Sequence, residues 1–221
     1  MREVAFEVRF APRLRVVPEV WRIQDGLAEQ YPRLVEEDQL QPEGKSLHFY
    51  TFTDSEGANT IKVSQENFVV IANKYRNFES FKAEALKNIK DFAKLFDIKN
   101  FQRVGLRYIN HIELAGGDVI DRLQDFVRAP IDYQRFDSQS IEQFLTEFRL
   151  KIAEDRLTVR GALLMVPGKV GSYLYILDLD CSSSSGSLES LSTMIDRFHT
   201  KIQMQYLEHI TENYKNHMRA R

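Results

Sequence analysis

The sequence predicts an α+β protein, built as a single domain of residues 1–221 from two copies of a β-α-β-β-β-α unit. The order of a strand, a helix, three strands and a long helix occurs twice, over about residues 1–100 and 101–221. The strand Glu3–Phe10 opens the first copy and the strand Arg103–Asn110 opens the second. Both long helices carry one apolar face, and the strands alternate apolar and polar residues. We therefore expect helices packed on one face of a curved, mostly antiparallel sheet.

The elements of the first copy follow from residue periodicity and from turn residues. Period-two alternation predicts the opening strand, because successive side chains of a strand point to opposite faces. Pro18 suits the first turn of a helix, and Asn77 suits an N-cap. The polar stretch Glu36–Glu43 is predicted to be a connecting loop. The remaining elements are, in order, a helix from Pro18 to about Pro32, strands at about 46–53, 60–64 and 68–74, and a helix from Phe78 to Phe96.

The second copy is predicted in the same way. Gly116 and Gly117 are expected to end its first strand, and a polar stretch at 132–140 is expected to be a loop. Ser187 is a predicted N-cap. The elements are, in order, a strand from Val104 to Ile112, a short helix from Asp118 to about Pro130, strands at about 141–152, 156–166 and 172–181, and a long helix whose apolar stripe runs from Leu188 to Ile210.

Duplicated units of this order have the topology of the TATA-binding-protein-like fold, and a helix-grip arrangement fits the same element order. This is an architectural analogy, because a fold shared by many proteins does not fix a function. The sheet face opposite the helices is expected to be open.

Composition limits the classes of protein to consider. The chain has 221 residues, of which 43% are hydrophobic, so it can bury a sizeable core. Thirty basic and 32 acidic residues give a net charge of −2, which disfavours nucleic acid as a partner except at a local basic patch. The absence of a long apolar window predicts no membrane segment, and Cys181, the only cysteine, excludes an intrachain disulfide. We expect a cytoplasmic protein.

Four segments carry a resemblance to a known family. They are the opening Glu3–Phe10, Tyr75 followed by the helix start at Phe78, the central Gly-Leu-Arg-Tyr-Ile-Asn within Arg103–Asn110, and Ile176–Asp180 before a long terminal helix. In this order the chain resembles a sporadically distributed prokaryotic family of uncharacterised proteins. The serine run at 182–185 departs from the family's more acidic or mixed loop. The resemblance implies domain limits and brings no activity, cofactor or catalytic residue.

Two aspartates are the first candidates for ligand binding. Asp178 and Asp180 lie two residues apart on one predicted strand, so both carboxylates project from the same face. With His111 or Glu113 as a further donor from a neighbouring strand, they could hold a divalent cation. The plainer interpretation is that these carboxylates are solvated or paired with arginine, and the sequence predicts no metal and no other cofactor.

Arginines are the second group of candidates. The correspondence between the two opening strands places Arg107 opposite Glu7, which predicts a structural ion pair between them. The alternative is a basic patch on the open sheet face that grips a phosphate or a carboxylate. That patch would consist of Arg9, Arg107, Arg149 and Arg160.

No catalytic motif accompanies these residues, so the sequence assigns no catalytic residue. The preferred interpretation is a non-enzymatic binding or protein-interaction module that uses the open sheet face or a sheet edge for a protein segment or for a second copy of the chain. The alternative is a metal-dependent hydrolase of phosphate esters, in which Arg107 would clamp the anion.

Overall fold

The computed structural model is an α+β protein, as the sequence predicts. It describes residues 3–40, 44, 46–115, 118–128, 141, 143–169 and 171–220. The strands are β1 (Glu3–Arg9), β2 (Arg33–Leu40), β3 (Ser46–Thr53), β4 (Asn59–Val63), β5 (Asn67–Ala72), β6 (Asn100–Phe101), β7 (Arg103–Ala115), β8 (Gln143–Ile152), β9 (Asp155–Met165), β10 (Ser172–Ser183) and β11 (Gly186–Ser187). The helices are α1 (Val20–Leu27), α2 (Phe78–Leu95), α3 (Val119–Phe126), α4 (Leu191–His209) and α5 (Glu212–Arg219), with a 3₁₀ turn at Leu14–Val16.

Nine strands form one large antiparallel sheet, in the order β2-β3-β4-β5-β1-β7-β10-β9-β8. The short strands β6 and β11 form a second, two-stranded sheet. The chain divides into two compact units, one made of Arg2–Arg107 with Ser182–Phe198 and the other of Tyr108–Cys181 with His199–Arg221. Among the described residues, no helix combines the length and the apolarity that crossing a membrane requires.

The first unit packs α2 on one face of its strands. Strand β1 buries Val4, Phe6 and Val8 and leaves the residues between them more exposed, which confirms the predicted alternation. Phe92 of α2 lies 4.5 Å from the ring of Phe68 on β5, measured between ring centroids. The predicted N-cap of α2 is confirmed, because the Asn77 side chain accepts a hydrogen bond from the Ser80 N–H at 2.9 Å.

In the second unit, the C-terminal part of α4 packs against strands β7 and β9. The Tyr108 hydroxyl lies 3.0 Å from Nδ1 of His199, and the Lys201 ammonium lies 2.6 Å from the Asp155 carboxylate. The predicted start of α3 is also found, since the Asp118 side chain accepts from the N–H of Ile120 at 2.8 Å. The contacts of α4 show that Tyr108 and Asp155 lie on the side of the sheet that faces this helix.

The loop predicted at Glu36–Glu43 is wrong for its first part, because β2 runs from Arg33 to Leu40. This strand pairs with β3 in antiparallel register, for example Glu37 with Phe49. It ends the sheet, so most of its side chains meet solvent on both faces and show no apolar alternation. The first half therefore has four strands between its helices, where the predicted unit has three.

The helix limits also differ from the prediction. The first helix extends only over Val20–Leu27, and the long helix α4 begins at Leu191 rather than beside Ser187. After α4 the chain turns into α5, where the Thr211 side chain accepts from the Tyr214 N–H at 3.2 Å. Thr211 is thus the N-cap of a separate helix that follows the predicted apolar stripe. The predicted turn at 116–117 and the predicted loop at 132–140 lie outside the described residues.

Gly161 on β9 provides a test of packing in the second unit. A methyl group at Gly161 would fall on the hydroxyl of Tyr175 and 2.8 Å from Oγ1 of Thr146. Tyr175 is fully buried, and its hydroxyl has no hydrogen-bond partner within the part of the chain that the structure describes. Burial raises the pKa of Tyr175 to about 12. The hydroxyl is thus a neutral group that sits where a larger residue 161 would need space.

We expect Gly161→Ala to lower the free energy of unfolding by about 1–3 kcal/mol, because it overpacks this contact. Tyr175→Phe removes the buried hydroxyl and should be neutral or stabilising by about 1 kcal/mol. In the double variant the alanine should cost less, since its main obstacle is gone. Urea unfolding of the four proteins measures this coupling, and costs that simply add within about 0.5 kcal/mol would contradict the close contact.

Candidate functional site

A ladder of charged side chains crosses three neighbouring strands on the face opposite α4. Glu147 of β8 and Arg160 of β9 are direct cross-strand partners, and their side chains bond at 2.6 Å. Arg160 also donates to Asp178 of β10 at 3.1 Å, and Arg149 lies 2.7 Å from Glu147. We call these four residues the charge ladder. Its signs alternate along the ladder, so each charge has an opposite neighbour.

The ladder shifts the pKa of two of its members, Glu147 and Arg160. Hydrogen bonding from Arg160, followed by the charge of that arginine, holds the pKa of Glu147 below its usual value. Burial alone would lower the pKa of Arg160, but its bonds to Glu147 and Asp178 outweigh burial and raise the pKa. Asp178 is 6% exposed, so its carboxylate is held inside the sheet surface by a guanidinium. The ladder therefore presents compensated charge, which is a poor basis for an anion grip.

A similar cluster lies on β1 and β7 in the first unit. The Glu7 carboxylate accepts a hydrogen bond from Nε of Arg9 at 2.9 Å and another from Arg103. Arg103 was not among the residues predicted from the sequence, although it lies on the same face as Arg107 in the alternation of β7. The predicted pair between Glu7 and Arg107 stays a prediction. Arg9, a predicted ligand contact, is bound to Glu7 and half-exposed.

The other predicted ligand residues lie on the neighbouring strands β7 and β10. Arg107 is exposed and His111 is half-buried on β7, while Asp178 is buried and Asp180 half-buried on β10. A cation at Asp178 would have to compete with the Arg160 guanidinium. Among the described residues, no group of three or more His, Cys, Asp or Glu side chains is placed to hold a metal ion. A ligand-binding role for these residues and for Arg9 stays a prediction.

Strand β8 is the outer strand at one end of the large sheet, as far as the described strands extend. Three of its apolar side chains are unusually exposed for their size: Leu145 at 78%, Phe148 at 41% and Leu150 at 40%. An edge strand offers unpaired backbone N–H and C=O groups to another strand. Exposed apolar side chains make such pairing more favourable, because pairing buries them.

The opposite end of the sheet differs in chemistry. Edge strand β2 carries three consecutive acidic residues, Glu36, Glu37 and Asp38. Charged residues on an edge strand oppose its pairing with a copy of itself, because like charges would meet. Strand β8 instead carries Glu147 and Arg149 on the two sides of Phe148. The candidate functional site is therefore the β8 edge.

No protein-family model matches the sequence, and no curated protein matches it significantly. The resemblance to a prokaryotic family stays a prediction. Function therefore has to be inferred from the residues of the β8 edge and of the charge ladder.

Proposed function

We propose that the protein is a non-enzymatic interaction module that binds a second copy of itself through the β8 edge. In this arrangement β8 of one copy pairs antiparallel with β8 of the other, around a twofold axis at Phe148. The observation that carries the proposal is an exposed apolar edge strand whose charges complement those of its own copy. Backbone hydrogen bonds supply affinity, and side-chain pairs fix the register.

Charge selects the register centred on Phe148. In that register Glu147 of each copy faces Arg149 of the other, so two opposite-charge pairs flank the axis. A shift of the axis by one residue either way places Glu147 opposite Glu147 or Arg149 opposite Arg149. Like charges directly opposite one another destabilise a strand pair. On the other face the same register sets Phe148 against Phe148, which buries two exposed aromatic rings.

The sheet face, the other surface predicted from the sequence, has less support as a binding site. Its arginines Arg149 and Arg160 are engaged with Glu147, and Arg160 is also engaged with Asp178. A phosphate or a nucleic acid would have to displace these carboxylates. The metal-dependent hydrolase has less support for a related reason, since Asp178 already binds a guanidinium.

A duplicated, TATA-binding-protein-like architecture remains part of the proposal. Strands β1 and β7 are neighbours, and outward from them follow β5, β4 and β3 on one side and β10, β9 and β8 on the other. This matching order supports two related halves. Strand β2 would then be an addition to the first half, beyond the end of the duplicated set.

Charge reversal tests the proposed pairing. Arg149→Glu places two glutamates opposite each other on both sides of the axis, so the dissociation constant of the dimer should rise about tenfold or more. Lys151→Glu is the matched control, because it makes the same charge change on the same strand but faces Leu145 of the other copy. Sedimentation velocity over a concentration series measures both effects.

Mixing two variants gives a second readout. Glu147→Arg alone should also weaken self-association, because the new arginine would meet Arg149 of the other copy. An equimolar mixture of the Glu147→Arg and Arg149→Glu proteins should form heterodimers, since each copy then meets its opposite charge. A wild-type chain that is monomeric throughout the series, or variants at 149 and 151 that dissociate equally, would overturn the proposal.

A further inference from the structure

A cavity of about 300 Å³ lies between α1 and α2 in the first unit. Its floor is apolar and consists mainly of Ile23, Phe68 and Phe92, which are at most 5% exposed themselves. Cavities of this size are at the lower limit of known small-molecule sites. Since one water occupies about 30 Å³ in the liquid, the cavity holds a molecule of about ten non-hydrogen atoms.

The rim of this cavity carries charge of mixed sign with a positive excess. Arg22 and Lys87 are the two cations and Asp91 is the one anion among the lining residues. Lys87 lies 3.2 Å from Asp91, and this contact uses one of the three N–H donors of its ammonium group. Arg22 donates through Nη1 to Glu19 at 2.6 Å, which leaves other guanidinium N–H groups for a ligand. The rim therefore suits an anionic head group.

Gly26 on α1 supports a binding role for this space. It lies within the helix Val20–Leu27, where glycine is less favourable than alanine. A Cβ atom at Gly26 would meet nothing within 4 Å, so neither packing nor backbone geometry requires glycine there. Because Gly26 lines the cavity, its missing side chain keeps the cavity clear. A larger residue would strengthen the helix and occupy the space.

We propose that this cavity binds a small amphiphilic carboxylate, with its aliphatic or aromatic body on the apolar floor and its carboxylate at Lys87 and Arg22. The apolar floor provides most of the binding free energy, because it removes the body of the ligand from water. The charged rim discriminates between head groups. This site is independent of the β8 edge.

Three probes of equal chain length separate the contributions of body and head: octanoate, octanol and octylammonium. Calorimetric titration of the full chain should show octanoate binding about fivefold more tightly than octylammonium, the scale of one exposed charge contact. Lys87→Gln should weaken octanoate by a similar factor and leave octanol unchanged. Gly26→Leu should abolish binding of all three probes, whereas Gly26→Ala, which adds one methyl group, should retain it.

A folding control and three contradicting outcomes complete the test. Both variants at Gly26 replace glycine by a better helix former, so a thermal melt should show folded proteins with stability equal to or above that of the wild type. Octylammonium binding as tightly as octanoate would overturn the assignment of a carboxylate. The absence of binding by all three probes, or wild-type affinity in the folded Gly26→Leu variant, would overturn the site itself.

Discussion

Lys201→Met is expected to lower the free energy of unfolding by about 3–5 kcal/mol, because it breaks a buried ion pair and leaves the other charge behind. The Lys201 ammonium bonds to Asp155 at 2.6 Å and to the backbone oxygen of Ile152 at 3.1 Å. The Asp155 side chain is fully buried and that of Lys201 is 17% exposed. The pair therefore joins α4 to the hairpin of β8 and β9 at a buried position. Removing one charge of a buried pair is costly there.

Two further variants separate this effect from a general loss of packing. Lys201→Met combined with Asp155→Asn removes both charges of this pair, so it should recover about half of the lost stability. Lys215→Met removes an ion pair with the exposed Glu212 and should cost about 1 kcal/mol or less. Guanidinium chloride unfolding at neutral pH measures all three. A loss below about 1 kcal/mol for Lys201→Met would show that the pair behaves as a surface contact.

Period-two alternation located most of the sheet from the sequence alone. Strand β3 occupies the predicted range Ser46–Thr53, and β8 and β10 agree with prediction to within about two residues at each end. Alternation succeeded there because one face of each strand is more buried than the other. Strand β2 was missed because an edge strand with charges on both faces carries no such signal.

The charge ladder depends on register, which the sequence left open. The hairpin between β8 and β9 turns through Ala153 and Glu154, with Ile152 opposite Asp155. Ala153 has φ of +56°, an uncommon value for a residue other than glycine, asparagine or aspartate. Once this turn is fixed, Glu147 must face Arg160. No glycine or asparagine marks the turn, so its position and the resulting ion pairs could not be read from residue types.

The contact of α4 with the hairpin was beyond prediction for another reason. Lys201 and Asp155 are 46 residues apart, and their meeting depends on the rotation of α4 about its axis. A helical stripe predicts which side faces a sheet but does not predict which strand lies beneath each residue. The sequence predicted that Asp178 could pair with an arginine but did not predict which one. Arg160 was predicted to belong to the basic patch instead.

The second large effect is expected for Phe92→Ala, which should lower the free energy of unfolding by about 3–5 kcal/mol. Phe92 is 5% exposed and contacts three other rings, with centroid distances of 4.5 Å to Phe68, 5.0 Å to Phe96 and 5.5 Å to Phe10. These rings come from β5, from the end of α2 and from the residue that follows β1. Phe92 thus holds a helix on the sheet, and its removal opens a cavity that rigid strands cannot close.

Phe92→Leu is the graded control, because leucine keeps most of the apolar volume and should cost about half as much. Trp21→Ala is the control for a large apolar residue of the same unit, since Trp21 is 58% exposed and its loss should stay within about 0.5 kcal/mol. Urea unfolding followed by far-ultraviolet circular dichroism measures the three variants. If Phe92→Ala cost no more than Trp21→Ala, the aromatic cluster could not be what fixes α2 on the sheet. The α1–α2 cavity would then lack a rigid floor, since Phe68 and Phe92 form part of both.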